Sequence, residues 1–517
     1  MLQISNLSEY KEEDIQKLYD KVKPILDKRK QLHEKYTRSA NERTVLFSSD
    51  ESTTKLPFEK FMVDLATGYT SGKPVYAVRA DKDKKASEIL EKTFNKKIVD
   101  DDYVKGMEVA IKYITSFNDD EQENYDLIHD IFEMTSCYEV VYETEINGKN
   151  EIVYSRFSPL QTVATWDYSI PANLTGLIRV WTETDLEGKE LKKIELTDKL
   201  GTRQFEIDSK KKVKLEKVEN HAWGDVPAFA VETDFALFEP CEDVISAYEQ
   251  IVQNVRNTYQ YNDSDCKLII EGYSPDEPLL VTDDNGNVVQ NPARVQEDRA
   301  WQDSKTIYVG EGGAVSWLSK PMDATGVEKT IKIYQDLMFQ LAGLPNTSDL
   351  SFSGSDLNTS AIDRKFYIMK MATASVVALL KKAYLRRWEL IFNRLNLKNS
   401  TEYDFRDIVI ELPKNLPNNS DELINSMLKL KGTISDETII NKLGYDYTVE
   451  KQNMEEETSD KILTNIENMQ QMRNSGLDNS DIQDNSLFNH YDTSQKGVEN
   501  ESLDENRQDT EINLTGN

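Results

Sequence analysis

Apolar and polar positions along this chain recur with two periods, and the period changes several times. Residues 14–35 place apolar side chains three and four apart among charged ones, the spacing of an amphipathic helix, and shorter helical patterns follow at 58–67 and 126–137. From Tyr138 the period becomes two: EVVYETEI and EIVYSRFS flank an Asn147-Gly148 turn, the strongest hairpin signal in the sequence. TVATW, GLIRVWTET, KIELT and RQFEI extend the antiparallel pattern to a lysine-rich stretch at 210–217, which reads as a solvated edge strand. Helical spacing returns at 239–262, where Val244, Ala247, Tyr248, Ile251, Val255 and Tyr259 form one stripe. A small β-rich insertion at 267–320 interrupts it, and the helical pattern resumes at Val327. Two helices flanking a compact insertion predict a paired strut with a module at its tip.

The most telling break lies further on. Ile331, Tyr334, Met338 and Leu341 recur at helical spacing until Gly343-Leu344-Pro345 stops them. A second helix restarts with Thr359 or Ser360 as its cap, Asp363 in its first turn and Ile362, Phe366, Met369 and Thr373 as its apolar face, running to about residue 395. The polar residues between them, with Gly354 in their midst, make a loop of a length that is usually functional or mobile. A strand pattern follows at 403–412. Two short helices at 419–443, the first capped by Ser420 and the second by Ser435, are split at Gly432. From Lys451 onward fifteen acidic residues face five basic ones with few apolar positions, which predicts a disordered tail over 474–517.

At 517 residues the chain exceeds one core, and its 62 basic against 92 acidic residues give a net charge of −30. That balance argues against a protein that grips nucleic acid by neutralising phosphates. Cys137, Cys241 and Cys266 are widely spaced and without CxxC spacing, as buried thiols in a reducing compartment would be. The first residues lack the basic and apolar regions of a signal peptide, and the longest apolar run, 371–380, falls short of the roughly 20 residues of a membrane span, so a soluble protein is expected.

Enzymatic motifs are weak. GYTSGKP at 68–74 is one residue short of a phosphate loop, and Pro74 stands where Ser or Thr would hold magnesium. Asp283-Asp284-Asn285-Gly286 begins like a calcium loop, but its twelfth position is Arg294, so a hairpin turn is the better reading. Gly310-Glu311-Gly312-Gly313 has no following helix pattern and reads as a turn. The four histidines, His33, His129, His221 and His490, are scattered, with no HExxH or GxSxG context. No catalytic residue, metal site or cofactor is expected.

The order of these elements, together with PFEKFMVDLATGYTSGKPV, HAWGDVPAFAVETD, EDVISAYEQIVQNVRNTYQ, FQLAGLPNTSDLSFSGSDLNTSAIDRKF and GTISDETIINKLGY, resembles the portal proteins of tailed bacteriophages, of the type found in siphophages of Gram-positive hosts. The resemblance covers about 55–457. One departure is local: Ser355-Asp356-Leu357-Asn358 stands where small residues usually follow the loop's Ser-Gly, so a detailed loop conformation is not carried over.

The resemblance implies an α+β portal architecture: a wing at 1–238 with antiparallel strands at 138–235, a stem helix at 239–262, a clip at 263–325 and a second stem helix at 326–345. It continues with a tunnel loop at 346–359, a long tunnel helix at 360–396, a wing return strand at 397–417, a helical crown at 418–473 and the disordered acidic tail at 474–517. It implies a non-enzymatic homo-oligomeric ring of about twelve at one capsid vertex, assembled in the host cytoplasm. DNA would pass through it in packaging and ejection without sequence-specific binding. The implied partners are the terminase large subunit, head-completion and tail proteins, and capsid and scaffold proteins, with no membrane and no cofactor.

Site residues follow from those roles. Ser351, Phe352, Ser353, Gly354, Ser355, Asn358 and Thr359 would form the channel-facing loop, where uncharged polar groups exchange hydrogen bonds with phosphate or water and Gly354 frees the backbone. Its alternative is a disordered surface connection. Lys365 and Lys370 would offer rings of positive charge or, equally, be solvated lysines at subunit contacts. Val244, Tyr248, Ile251, Val255, Tyr334 and Met338 would pack the stem, or the core of a plain helical hairpin. Trp301 and Trp317 mark the clip interface if exposed and a core if buried. An acidic virion or scaffold protein without a channel is the alternative function, and a hydrolase built from unremarkable carboxylates is a third.

Overall fold

A computed structural model describes residues 1–41, 55–79, 92–93, 101–184, 190–208, 212–260, 267–271, 278–282, 287–303, 313–318, 322–346, 366–415 and 435–442, with a few isolated positions besides. The chain divides into two units, Met1–Asn419 and Ser420–Asn517.

In the first unit, β1 (Leu2–Gln3) leads into α1 (Glu12–Asn41), which opens with Glu12, Glu13 and Asp14 at the end where the helix dipole favours negative charge. Next come α2 (Phe58–Thr70), β2 (Val75–Val78), α3 (Asp101–Phe117) and α4 (Asp120–Met134). The hairpin of β3 (Ser136–Ile146) and β4 (Lys149–Phe157) turns at Asn147 and Gly148, whose φ values of 53° and 77° are the left-handed pair that a two-residue turn requires. Strands β5 (Thr162–Trp166), β6 (Leu174–Thr184), β7 (Glu190–Thr197), β8 (Gly201–Ile207) and β9 (Val213–Asn220) form an antiparallel meander, with β1 parallel to β5 at its far edge. At the other edge β9 keeps Lys214, Glu216, Lys217 and Glu219 exposed and carries a register shift, two features that discourage further pairing. β10 (Ala228–Glu232) pairs with β3 to complete a three-stranded sheet.

The chain then runs through α5 (Glu242–Gln260), β11 (Lys267–Ile270), β12 (Leu280–Thr282), β13 (Val288–Gln290), α6 (Pro292–Asp303), β14 (Val315–Leu318), α7 (Ala324–Ala342) and α8 (Tyr367–Asn399). β15 (Ile408–Glu411) returns to pair antiparallel with β2. In the second unit α9 (Asp436–Lys442) begins just after Ser435, whose carbonyl accepts from Ile439 N, and Gly432 takes φ 91°. Helices and antiparallel strands alternate in blocks, an α+β arrangement. Residues 474–517 lie outside the described set.

Three apolar clusters fill the first unit. One lies between α1 and the meander, with Ile15, Leu18 and Val22 against Val163, Ile178, Ile194 and Phe205. A smaller one joins the two sheets through Tyr138, Val140, Ala164 and Leu177. The largest gathers α2, α3, α4, the β3–β4 hairpin, the near ends of α5 and α7, and α8.

Arg387 of α8 sits inside that last cluster with no exposed surface. Its Nε and Nη2 fork onto Glu139 of β3 at 2.7 and 2.5 Å, while Nη1 reaches Asp120 of α4 at 2.5 Å. The guanidinium carbon lies over the rings of Tyr154 and Tyr384, 4.2 and 4.3 Å from their centroids. Tyr154 and Tyr76 donate to the two oxygens of Asp120, and Tyr384 donates to Asn124, whose amide reaches the Gly72 carbonyl. Two carboxylates share one buried cation here, so burial raises Glu139 above the usual carboxylate range despite the opposing pull of Arg387. Burial, and next the charge of Glu139, also pushes nearby Glu123 up to about 8.

The sequence pattern and the structure differ in places. The insertion is not wholly β, because α6 occupies 292–303; α8 is described only from Tyr367, preceded by Phe366, and reaches Asn399; and α3 has no counterpart in the pattern. Both predicted caps, Thr359 and Ser360, lie outside the described residues.

Replacing Arg387 by Met strands two buried carboxylates, so Arg387→Met loses about 3–5 kcal/mol in urea unfolding. Arg387→Lys does not restore it, because one ammonium cannot fork onto Glu139 and reach Asp120 as well; a loss below about 1 kcal/mol would show the network to be dispensable. For Glu123 the folded-state value lies above the ordinary 4.5, so its protonated carboxyl contributes stability below pH 4.5 that is lost as pH rises through about 8. Glu123→Gln therefore raises Tm by about 2 °C at pH 9 and leaves it unchanged at pH 4.

Candidate functional site

The paired helices are α5 and α7, each 19 residues and so about 28 Å long. They pack on one another, with their near ends set in the main core: Cys241 just before α5, Ile245 within its first turn, and Met338, Phe339, Ala342 and Leu344 at the end of α7 are all buried. Cys241 Sγ lies 3.4 Å from the Met338 carbonyl. Buried Glu249 accepts from Leu56 N at 2.8 Å and from Lys55 Nζ at 3.3 Å, and Lys35 holds Glu242. Val244 and Tyr248 are half-buried, Tyr248 meeting Phe58 edge-on at 5.3 Å. Further along, Ile251, Val255 and Tyr334 are half-buried, and Tyr259 is exposed. The pair is therefore anchored at its near end, and toward the insertion its apolar stripe is only partly covered. Leu341, read as part of the apolar stripe, is 47% exposed.

At the outer end, β11 and β14 pair antiparallel and join α5 to α7, while β12 and β13 form a second antiparallel pair. The turn residues 283–286 lie outside the described set, and Arg294 falls within α6. Trp317 on β14 is 62% exposed, as are Leu279, Leu280 and Val288 in large part. Trp301 belongs to α6, but its side chain lies outside the described residues. Asn291 starts α6 by accepting from Ala293 N, with Pro292 at the first helical position; that cap is a signal the sequence carries.

Gly343 ends α7 in the left-handed region at φ 66°, with its N–H on Gln340 and that of Leu344 on Phe339. A Cβ there would stand 2.7 Å from the Cβ of Ala372, so this glycine lets α7 close onto α8. The loop residues Ser351, Phe352, Ser353, Gly354, Ser355, Asn358 and Thr359, and Lys365 after them, lie outside the described residues. Phe366 stacks on Tyr69 at 5.6 Å just before α8, and Lys370 is exposed on its first turn.

The other motifs have structural roles. Gly72 of GYTSGKP packs where a Cβ would lie 2.2 Å from the Pro413 carbonyl, so the glycine serves a close backbone approach. His33 and His129, distant in sequence, meet at buried Glu133, their Nδ1 atoms 2.5 and 3.3 Å from its two oxygens. Scattered along the sequence, these two of the four histidines are brought together by the packing of α1 on α4. His129, Asp130 and Glu133 lie close enough together to resemble a metal site, but Arg156 forks onto Asp130 and the two histidines take up Glu133, so each carboxylate already has protein partners. Cys137 and Cys241 are buried, and burial pushes both thiols up, Cys241 to about 11, away from reactive thiolates. Cys266 lies outside the described residues. No helix among the described residues is long and apolar enough to cross a membrane.

Because Gly343 combines positive φ with that contact to Ala372, Gly343→Ala costs about 1–3 kcal/mol in urea unfolding. A change below about 0.5 kcal/mol would contradict the tight closure.

No curated protein matches the sequence. A family model does: it is described as phage portal protein, SPP1 Gp6-like, and it matches residues 8–470 of the 517. With nearly all of the first unit and the start of the second inside that match, the chain belongs to the SPP1 Gp6-like family of phage portal proteins.

Proposed function

We propose that this chain is the subunit of a ring of about twelve copies at one capsid vertex, through which double-stranded DNA enters during packaging and leaves during ejection. The observation that carries this reading is the family match across residues 8–470. Its geometry supports the assignment of parts: α5 and α7 are the stem, the β11–β14 insertion with α6 is the clip, residues 346–359 are the tunnel loop, and α8 is the helix behind it. The first unit apart from these is the wing, with β15 as its return strand, and residues 418–473 are the crown.

Under this reading the clip docks the terminase large subunit during packaging and head-completion proteins afterwards, with exposed Trp317 as its apolar anchor. The motor hydrolyses ATP, and this chain is a conduit. Twelve copies at −30 each surround the duplex with like charge, which keeps a moving polyanion from adhering. The loop's uncharged serines, Asn358 and Thr359 make transient hydrogen bonds, and Gly354 supplies backbone freedom for a segment that tracks the duplex.

Deleting residues 352–356 leaves particle mass unchanged and abolishes DNA packaging, read by sedimentation of the assembled protein and by nuclease-protected DNA in a packaging assay. Normal packaging by the deletion would remove the loop from the mechanism.

A further inference from the structure

The first turns of α8 expose a surface that a single copy leaves unused. From Tyr367 to Leu379 the helix carries one charged residue, Lys370, in a chain of which 30% is charged. One side of it, Met369, Thr373 and Val376, is buried in the core, so the helix is already seated. The other side exposes Tyr367, Ile368 and Met371 at 58, 55 and 61%, followed by Ala374, Ser375, Ala378 and Leu379. The adjoining end of α7, brought in by the Gly343–Ala372 approach, adds exposed Leu337 and Leu341. Isolated apolar side chains on a surface are ordinary; a run of more than three helical turns with a single charge, exposing Tyr367, Ile368 and Met371 together, is a contact surface awaiting a partner.

Two lysines flank this stretch of α8: Lys370 on the helix itself and Lys414, which follows β15. Lys414 is half-buried, donates to Thr373 Oγ1 at 2.9 Å and lies 4.8 Å from the centre of the Tyr69 ring. Burial, and then the charge of Lys370, lowers its pKa below the usual lysine range. Neither ammonium is paired with a carboxylate among the described residues, although acidic residues outnumber basic ones 92 to 62.

We propose that this face of α8 seats the next copy of the chain, apolar contact surrounding an intersubunit pairing of Lys370 and Lys414 with that copy's carboxylates. The inference rests on the ring reading and names one of its joints. A second copy fits better than DNA, because phosphates are hydrated and cannot cover Tyr367, Ile368 and Met371, whereas a protein of net charge −30 supplies both carboxylates and apolar surface. A patch that meets a different patch on its neighbour is heterologous, the kind of contact that closes into a ring.

The test uses the full-length chain, with mass followed over a concentration series in low and high salt, and thermal unfolding of each variant recorded alongside. Met371→Glu and Ile368→Glu are expected to raise the midpoint concentration for assembly at least about tenfold with little change in monomer unfolding. Lys370→Glu/Lys414→Glu raises it too and removes the salt dependence. Wild-type rings together with Met371→Glu rings of unchanged midpoint overturn the inference while leaving the ring reading intact. Lowered monomer Tm with unchanged assembly also overturns it, by assigning the face to an intramolecular contact. Normal assembly of the double-lysine variant with loss of DNA packaging gives the lysines to DNA and overturns the charge pairing. A wild-type chain that never assembles removes the ring reading and this inference with it.

Discussion

Arg387 carries a full positive charge where solvent does not reach, and a buried charge is tolerated only when it is paired and its hydrogen-bond donors are used. Glu139 and Asp120 supply that pairing from β3 and α4, the rings of Tyr154 and Tyr384 pack against the guanidinium, and Tyr76 of β2 closes the circuit through Asp120. Each partner comes from a different stretch of chain, so the network can form only when α8, coming after the insertion, has docked against strands and helices made long before it. An apolar residue at 387 would fill the space without dictating which segments meet. The ion pairs specify the arrangement, and the surrounding apolar cluster supplies most of the favourable free energy.

That rigid point explains how exposed elements are held in place. The end of α7 and the middle of α8 are set in one core, and Gly343 brings their backbones close, so the segment between them leaves and re-enters a fixed frame. The near end of α5 is held in the same core by Cys241, Ile245 and buried Glu249, while its far end and the insertion stand on partly exposed side chains. Under the function proposed above this layout has a use: a fixed body, a pair of long helices and a polar stretch of sequence between α7 and α8 would serve a conduit for a moving duplex.

Much of this organisation is legible in the sequence, and its failures have physical causes. The α1 stripe reads clearly because Ile15, Leu18 and Val22 all face one sheet, and Asn147-Gly148 marks its hairpin because few other pairs adopt two left-handed residues. The α3 helix does carry a stripe at helical spacing, Met107, Ile111 and Ile114, all buried, with Val109, Tyr113 and Phe117 as a second, exposed apolar side, so its absence from the pattern above is a signal passed over. For α6 the Asn291-Pro292 start is present without an apolar face behind it. Arg387 reads as a solvated charge unless one notices that Tyr384 and Ile391, three before and four after it, share its face of the helix, with Trp388 and Phe392 beside them. The meeting of His33 and His129 at Glu133 is illegible, since nothing local in sequence announces that α1 and α4 pack together. Of the candidate site, the strut and the exposed Trp317 can be placed, whereas residues 351–359 are read from sequence pattern alone.

The portal reading is tested most directly by image averaging of the purified, assembled protein. Rings of about twelve or thirteen subunits around an open central hole are expected. A monomer that persists at high concentration, or a closed particle without a hole, would contradict it.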